Sequence, residues 1–336
     1  MAWWQPSAHA DRRVFLQARA RIMAAFRAFL DQKGFLEVDP GALQVSPGNE
    51  AHIHAIAAKV SAPDLTTRQL YLHSSPEFAM KKLLAAGETR IYALGHVWRD
   101  REAGPTHASE FTMLEWYRAR QGYAAVMEDC AGLMRLACQT AGTDRLSYRG
   151  RQADPFAEPE FITVAEAFSR HAGIGLLELL DDRDGFARAA GQAGVKVAGD
   201  DNWSDIFSRV IVACVEPALG QGRISFLTEY PACEAALARR KPEDPRVSER
   251  FEMYACGVEL ANGFGELTDP VEQRRRLAAE MDEKERIYGE RYPLDEDFLS
   301  ALALMPESSG VALGFDRAVM LATGARTISD VIWTPY

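Results

Sequence analysis

The residue types best suited to chemistry lie in Arg99-Asp100-Arg101-Glu102 and, a few positions on, in Glu110-Phe111-Thr112-Met113-Leu114-Glu115-Trp116-Tyr117-Arg118. An apolar run from Arg90 to Trp98 reads as a strand that ends at Arg99, Gly104-Pro105 turns the chain, and a second strand returns. Side chains alternate along a strand, so Phe111, Met113, Glu115 and Tyr117 share one face. That face carries an aromatic plate, a carboxylate and a phenol, next to a loop holding Arg99, Arg101 and His107. A purely structural hairpin rarely loads a core face with Glu and Tyr. The set suits a ligand that is anionic and aromatic and also bears an amine, a description that ATP plus an amino acid meets.

A second cluster falls in 250–269. Phe251-Glu252-Met253-Tyr254 and Val258-Glu259-Leu260 flank a tight turn at Ala255-Cys256-Gly257, so a hairpin there sets Glu252 roughly opposite Glu259. Directly opposed like charges destabilise a bare sheet. Either both carboxylates face water or a divalent cation lies between them. Hard oxygens suit Mg²⁺, with phosphates completing the shell. Asn262-Gly263-Phe264-Gly265-Glu266 follows, its glycines permitting close backbone approach and Glu266 offering an acid to an amine. Ser309 to Arg317 reads as a small-residue strand opening a helix at Gly314, where Arg317 can stack on a base or bind phosphate. Ser75-Pro76-Glu77 reads as a helix start: Ser75 as N-cap, Pro76 first in the helix, and Glu77 as either a dipole partner or a ligand. His52 and His54 share a strand face but lack further ligands nearby, and are read as structural.

These side chains need a frame. Asp11 can cap a helix over 12–33 whose Phe15, Ala18, Ile22, Phe26, Phe29 and Leu30 form one apolar stripe, stopped by Gly34. Phe35 to Val38 reads as a short strand ended by Asp39-Pro40-Gly41. The stripe is either core or a dimer seam. Another helix runs over 122–141. The stretch 144–222 is mixed, with helical patterns over 163–171 and 205–215, and reads as a mostly helical insertion. A short tail over 1–10 then precedes a single domain over 11–336.

The chain has 336 residues, 47% hydrophobic and 26% charged, ordinary globular composition with length for a sizeable core. A net charge of −10 argues against a protein whose main task is coating nucleic acid. Five scattered cysteines with no Cys-x-x-Cys pair argue against a disulfide framework or zinc knuckle, and the reducing cytoplasm is the default location. No run reaches the length of a membrane span, and the start of the chain lacks a signal-peptide pattern.

Three blocks in this order resemble the signature motifs of class II aminoacyl-tRNA synthetases: the long helix with its strand and Pro40, Trp98-Arg99 through Tyr117, and Gly314 through Arg317. Glu-Phe-Thr-Met-Leu-Glu-Trp-Tyr and Glu-Leu-Ala-Asn-Gly-Phe-x-Glu-Leu are similar to the lysine-specific branch. Only about ten residues precede the first helix, so the resemblance is to a catalytic domain standing alone, as in the elongation factor P–(R)-β-lysine ligase family. Ala312 points the same way, since lysyl-tRNA synthetases usually carry Gly there. The resemblance implies an α/β (α+β) fold, an antiparallel sheet flanked by helices, and a homodimer. It implies adenylation of lysine or (R)-β-lysine with ATP and Mg²⁺, then transfer to a lysine side chain of elongation factor P.

Carried over by position, the resemblance puts Arg99 on the α-phosphate and the substrate carboxylate, as the catalytic charge stabiliser. His107 goes to the distal phosphates, adenine between Phe111 and Arg317, and Mg²⁺ on Glu252 and Glu259. Arg101, Glu102, Leu260 and Gly314 complete the ATP site. Ser75, Glu77, Glu115, Tyr117, Asn262, Phe264, Glu266 and Ala312 line the amino-acid pocket, with Glu266 on the terminal amine. The chain departs from the family at Arg101, where Glu is usual, and at Ala108, where Asn is frequent. Two other readings are kept: a minimal synthetase acting on tRNA, and an inactive amino-acid-sensing paralogue.

Overall fold

The computed structural model describes residues 2–335. Helix α1 (Pro6–Gln32) leads to β1 (Leu36–Glu37), β2 (Leu43–Gln44), β3 (Ala57–Ser61), β4 (Thr67–Leu72), α2 (Glu77–Ala85), β5 (Arg90–Trp98), β6 (Glu110–Ala119) and α3 (Tyr123–Ala141). The middle of the chain holds β7 (Leu146–Tyr148), β8 (Arg151–Asp154), β9 (Glu160–Thr163), α4 (Val164–Ala172), α5 (Arg183–Gln192), α6 (Trp203–Val210), β10 (Gly222–Arg223) and β11 (Ser225–Thr228). The last third holds β12 (Arg250–Ala255), β13 (Val258–Gly265), α7 (Pro270–Tyr288), α8 (Glu296–Leu302), β14 (Ser308–Gly314), α9 (Phe315–Thr323) and α10 (Ile328–Val331).

Eight strands form one sheet in the order β1-β5-β6-β14-β13-β12-β11-β9. The six central strands pair antiparallel, while β1 and β9 join the two edges in parallel. Alternation on β6 divides the molecule. Leu114 and Trp116 are fully buried on the face covered by α1, α3 and α9, where Ile22, Phe26, Leu30, Val126, Met134 and Val319 complete the main core. Phe111, Met113, Glu115 and Tyr117 point to the other face, as the period of two requires. A second cluster on that side packs Phe78 and Leu84 of α2 against Phe298 and Leu302 of α8.

Asp129 of α3 ties the first layer to the sheet. Wholly buried, it accepts hydrogen bonds from Arg118 at 2.7 and 2.9 Å and from Trp116 at 3.2 Å, and pairs with Lys33 at 2.7 Å. A buried carboxylate with this many donors is compensated for lost hydration.

The structure moves several boundaries read from sequence. The first helix starts at Pro6 with Gln5 as its cap, so Asp11 caps nothing; proline at the first helical position suits its fixed φ. Its apolar stripe is covered by α3, α9 and α10 of the same chain, which makes it core rather than an open seam. Helix α2 takes Pro76 as N-cap, yet the Ser75 hydroxyl still accepts the Glu77 N–H at 3.1 Å. Within 144–222 the helices begin only at Val164: β7, β8 and β10 form a small sheet, and β9 belongs to the main one. Helices α4 to α6 keep their own aromatic core around Phe168, Phe186, Trp203 and Phe207.

Candidate active site

On the open face of the sheet, β6, β12, β13, β14, the start of α2, the loop after β5 and the start of α9 enclose a cavity of about 340 Å³. Its wall includes every residue expected from sequence but one: Ser75, Glu77, Arg99, Glu102, His107, Phe111, Glu115, Tyr117, Glu252, Glu259, Leu260, Asn262, Phe264, Glu266, Ala312, Gly314 and Arg317. The exception is Arg101. Its backbone is left-handed, with φ 62°, and its guanidinium pairs with Glu290 and lies 3.4 Å from His54 Nε2, over the Tyr288 ring. With an opposite charge beyond the C-terminus of α7, Arg101 anchors the loop outward instead of lining the cavity. His54, read as structural, is structural in this sense too, since it pairs with Glu290 at 3.0 Å.

One end of the cavity is cationic and aromatic. Arg99 sits 5.3 Å over the Phe111 ring and donates to the Ser74 carbonyl at 3.3 Å. Arg317 is held by the carbonyls of Thr106 at 3.2 Å and Glu259 at 3.1 Å, and donates to His107 Nε2 at 2.7 Å. Burial first, then the Arg317 charge, lowers the His107 pKa, so the ring is neutral and can accept that bond. Arg317 projects from the first turn of α9, and buried Asp316 fixes that turn by accepting the Thr112 N–H at 2.7 Å and pairing with Arg19. A base between Phe111 and Arg317 would have a ring on one side and a guanidinium on the other.

The two carboxylates of the hairpin reach the same cavity by a route the sequence does not disclose. Glu252 pairs with Asn262, not with Glu259. A bulge then shifts the register so that Tyr254 faces Glu259 and Leu260 is the extra residue. Without it Glu259 would fall opposite Ala255 and point to the core face; one added residue flips it to the site face. The loop itself, Cys256-Gly257 with φ 57° and 72°, has the two left-handed residues a tight hairpin needs. Glu252 is held by Arg250 at 2.8 Å and accepts from the Tyr254 hydroxyl at 2.6 Å. Glu259 is pushed up from its ordinary pKa by desolvation and by Glu252, with Arg317 and Arg99 opposing. Two hard oxygen donors in mutual repulsion fit a divalent cation. Among the described residues no group of three His, Cys, Asp or Glu could hold a metal, so phosphate and water oxygens would have to complete the shell.

The other end is acidic. Glu115 accepts from the Ser75 hydroxyl at 2.7 Å and the Tyr117 hydroxyl at 2.7 Å. Burial, then the neighbouring Glu77, pushes its carboxyl up to about 8. Burial likewise pushes Glu266 up to about 7, against the opposing effect of Lys81. Glu266 is 1% exposed and its Oε1 accepts no hydrogen bond among the described residues. Gly310 makes this pairing possible: a β-carbon there would collide with the Tyr117 ring and with Glu266 Oε1. A buried acid with a free oxygen is a site for an ammonium. Sequence reading missed Lys81, which pairs with both Glu77 and Glu266, and Arg250 and Asp316, which hold Glu252 and α9. Only the four-residue spacing of Glu77 and Lys81 was visible in advance.

The family described as class II tRNA synthetases (D, K and N) matches residues 7–336. The chain is 39% identical to an elongation factor P–(R)-β-lysine ligase of Erwinia tasmaniensis, over 98% of this chain and 97% of that protein. It is 38% identical to the ligase of the same name from Edwardsiella ictaluri, over 99% of this chain and 97% of that protein. A lysine–tRNA ligase of Pelotomaculum thermopropionicum is 36% identical over 95% of this chain but only 62% of its own length.

Proposed function

Since the chain belongs to the class II tRNA synthetases of the D, K and N family, we propose that it is an ATP-dependent ligase that activates (R)-β-lysine or lysine as an adenylate and joins it to a lysine side chain of elongation factor P. One observation carries the substrate choice: the free, buried Oε1 of Glu266 shares a single cavity with Arg99, Phe111 and Arg317. The nearly full-length similarity to ligases of that name supports the acceptor.

In the first step an oxygen of the substrate carboxylate attacks the α-phosphorus of ATP. A carboxyl–phosphate bond forms and pyrophosphate leaves. Arg99 stabilises charge developing at the α-phosphoryl oxygens, Phe111 and Arg317 hold the base, and neutral His107 faces the distal phosphates. Glu252 and Glu259 would hold Mg²⁺, which when bound neutralises phosphate charge. Glu266 takes the terminal ammonium, while Glu77, Glu115, Tyr117 and Asn262 surround the rest of the substrate, with Phe264 and Ala312 closing its shape. In the second step the neutral amine of the acceptor lysine attacks the activated carbonyl, an amide bond forms, AMP departs and the amine proton passes to solvent. No side chain is required as a covalent nucleophile.

An acceptor that is a translation factor supports a cytoplasmic location. No helix among the described residues is long and apolar enough to cross a membrane. It works as a homodimer. The 36% identity to a lysine–tRNA ligase favours a second reading, a synthetase that charges tRNA. ATP–pyrophosphate exchange dependent on lysine or (R)-β-lysine, followed by transfer of labelled product, separates the two. Label on elongation factor P and none on tRNA is expected. Label on tRNA alone establishes the second reading, and absence of exchange with either isomer defeats both.

A further inference from the structure

Lys81 is a lysine in a place where lysines are rare. It lies one turn after Glu77 on the buried side of α2, between Met80 and the apolar contacts of Phe78 and Leu84, and its side chain is 0% exposed. An ammonium cut off from water is costly unless it is paired. Its Nζ lies 2.5 Å from Glu77 Oε1 and 2.6 Å from Glu266 Oε2. The partnership is divided atom by atom. Lys81 forms its ion pair with Glu266 through Oε2, whereas Oε1 turns toward Gly310 and the Tyr117 ring, and neither oxygen accepts a hydrogen bond among the described residues. One carboxylate thus serves an internal cation with one oxygen and keeps the other for a guest.

The charges that face Lys81 can be named. Glu77 comes from its own helix, Glu115 from β6, and Glu266 from just past β13. Arg239 lies further off and is already paired with Glu249 at 2.7 Å. Burial alone would lower the Lys81 pKa, but Glu266 and Glu77 more than offset it and the group stays charged. Three carboxyl groups, those of Glu77, Glu115 and Glu266, thus face one internal ammonium, which leaves places for two further positive charges. A lysine isomer brings two ammonium groups, its carboxylate being directed to Arg99.

On the reading of this cavity as a lysine-isomer pocket, we infer that Lys81 is a positioning residue: a built-in ammonium that holds the Glu77 and Glu266 carboxyl groups in place by an ion pair to each, and so sets the pocket's demand at two further ammonium groups. It does not touch the reacting atoms.

The test uses Lys81→Met, which keeps the stem and removes the charge, and has two arms. The first needs no substrate. With Lys81 gone, the Glu266 carboxyl loses the charge that opposes its burial, so its pKa rises further above the unfolded value and its protonated form stabilises the fold more. That stability is lost as pH rises through the raised folded pKa. The melting temperature of the ligand-free variant should therefore fall more steeply between pH 5 and 8 than the parent's, an interval set by the ordinary carboxylate range and the parent values at Glu266 and Glu115. The second arm is exchange kinetics. KM for the lysine isomer should rise on the order of 100-fold while KM for ATP stays near the parent's. Methylammonium should partly restore Lys81→Ala, and tetramethylammonium, which cannot donate a hydrogen bond, should not. If Lys81→Met does not fold, Lys81→Gln serves in both arms. An unchanged melting slope overturns the inference, as does an equal loss in both KM values with no rescue. A parent that activates neither isomer, with the steeper slope still present in the variant, defeats the proposed function while leaving Lys81 as the charge-holding group.

Discussion

Glu115 has to be anionic to hold an ammonium, yet in the empty pocket its carboxyl sits near 8 because it is buried beside Glu77. Binding an ammonium must then release a proton, and apparent KM for the amino acid should fall as pH rises from about 6 to about 8. The ligand-free protein should show the reverse trend in stability. A carboxyl raised from 4.5 in the unfolded chain to about 8 in the fold favours folding while protonated, and that contribution disappears as pH climbs between those values. Glu115→Gln keeps two polar atoms for Ser75 and Tyr117 but cannot titrate. Its melting temperature should decline less between pH 5 and 8, and its KM should keep only the part of the pH dependence that Glu266 supplies. A parent-like slope in Glu115→Gln would remove Glu115 from this account. Most residues of the site were legible in the sequence because strand periodicity fixes which of them share a face: Phe111, Glu115 and Tyr117 followed from a period of two. Lys81 was not legible, because its partner Glu266 arrives from a distant part of the chain and nothing local marks a buried lysine.

Two features of single elements decide whether those residues meet. The bulge at Leu260 brings Glu259 round to Glu252; the hairpin and its Cys256-Gly257 turn could be read from sequence, but the register could not, since one extra residue leaves no compositional trace. Arg101 shows the same limit in the opposite sense: its position in the loop suggested the ATP site, and its left-handed backbone and Glu290 take it elsewhere. Strand β14 supplies the second feature, the bare backbone at Gly310 beneath Tyr117 and Glu266. Gly310→Ala adds a methyl where both side chains already press. Glu266 Oε1 or the Tyr117 ring must give way, and a displacement of about 1 Å in a binding group can cost about 100-fold in rate. Exchange kinetics should show kcat/KM for the lysine isomer down by ~10- to 100-fold, with KM for ATP little changed because Arg99, Phe111 and Arg317 lie at the other end. A Gly310→Ala enzyme with parental kinetics for the amino acid would show that this close approach does not shape the pocket.

At the scale of the molecule, the residues that line the cavity come from all along one chain, and association has to be argued from the surface. The apolar stripe of α1, a candidate seam in the sequence, is buried against α3, α9 and α10. What stays open is the edge of the main sheet at β1, a two-residue strand bonded only to β5 among the described residues. An unpaired edge is a template for another chain, and proteins usually cover it or charge it. Here it carries Leu36, 53% exposed, and the nearby segment of β2 adds Leu43 at 45% and Val45 at 52%. A two-fold axis beside this edge would cover the same apolar residues on both copies, as an isologous interface requires. Sedimentation equilibrium at micromolar concentration should therefore report a dimer of the 37.2 kDa chain. Leu36→Arg combined with Val45→Arg should shift it to monomer, because two desolvated charges per copy would face their symmetry mates. The cavity lies on the site face of β6, β12, β13 and β14, not on the β1 edge, so the monomeric variant should still bind ATP. A double variant that stays dimeric would place the interface on another surface, and a parent that sediments as a monomer would defeat the dimer.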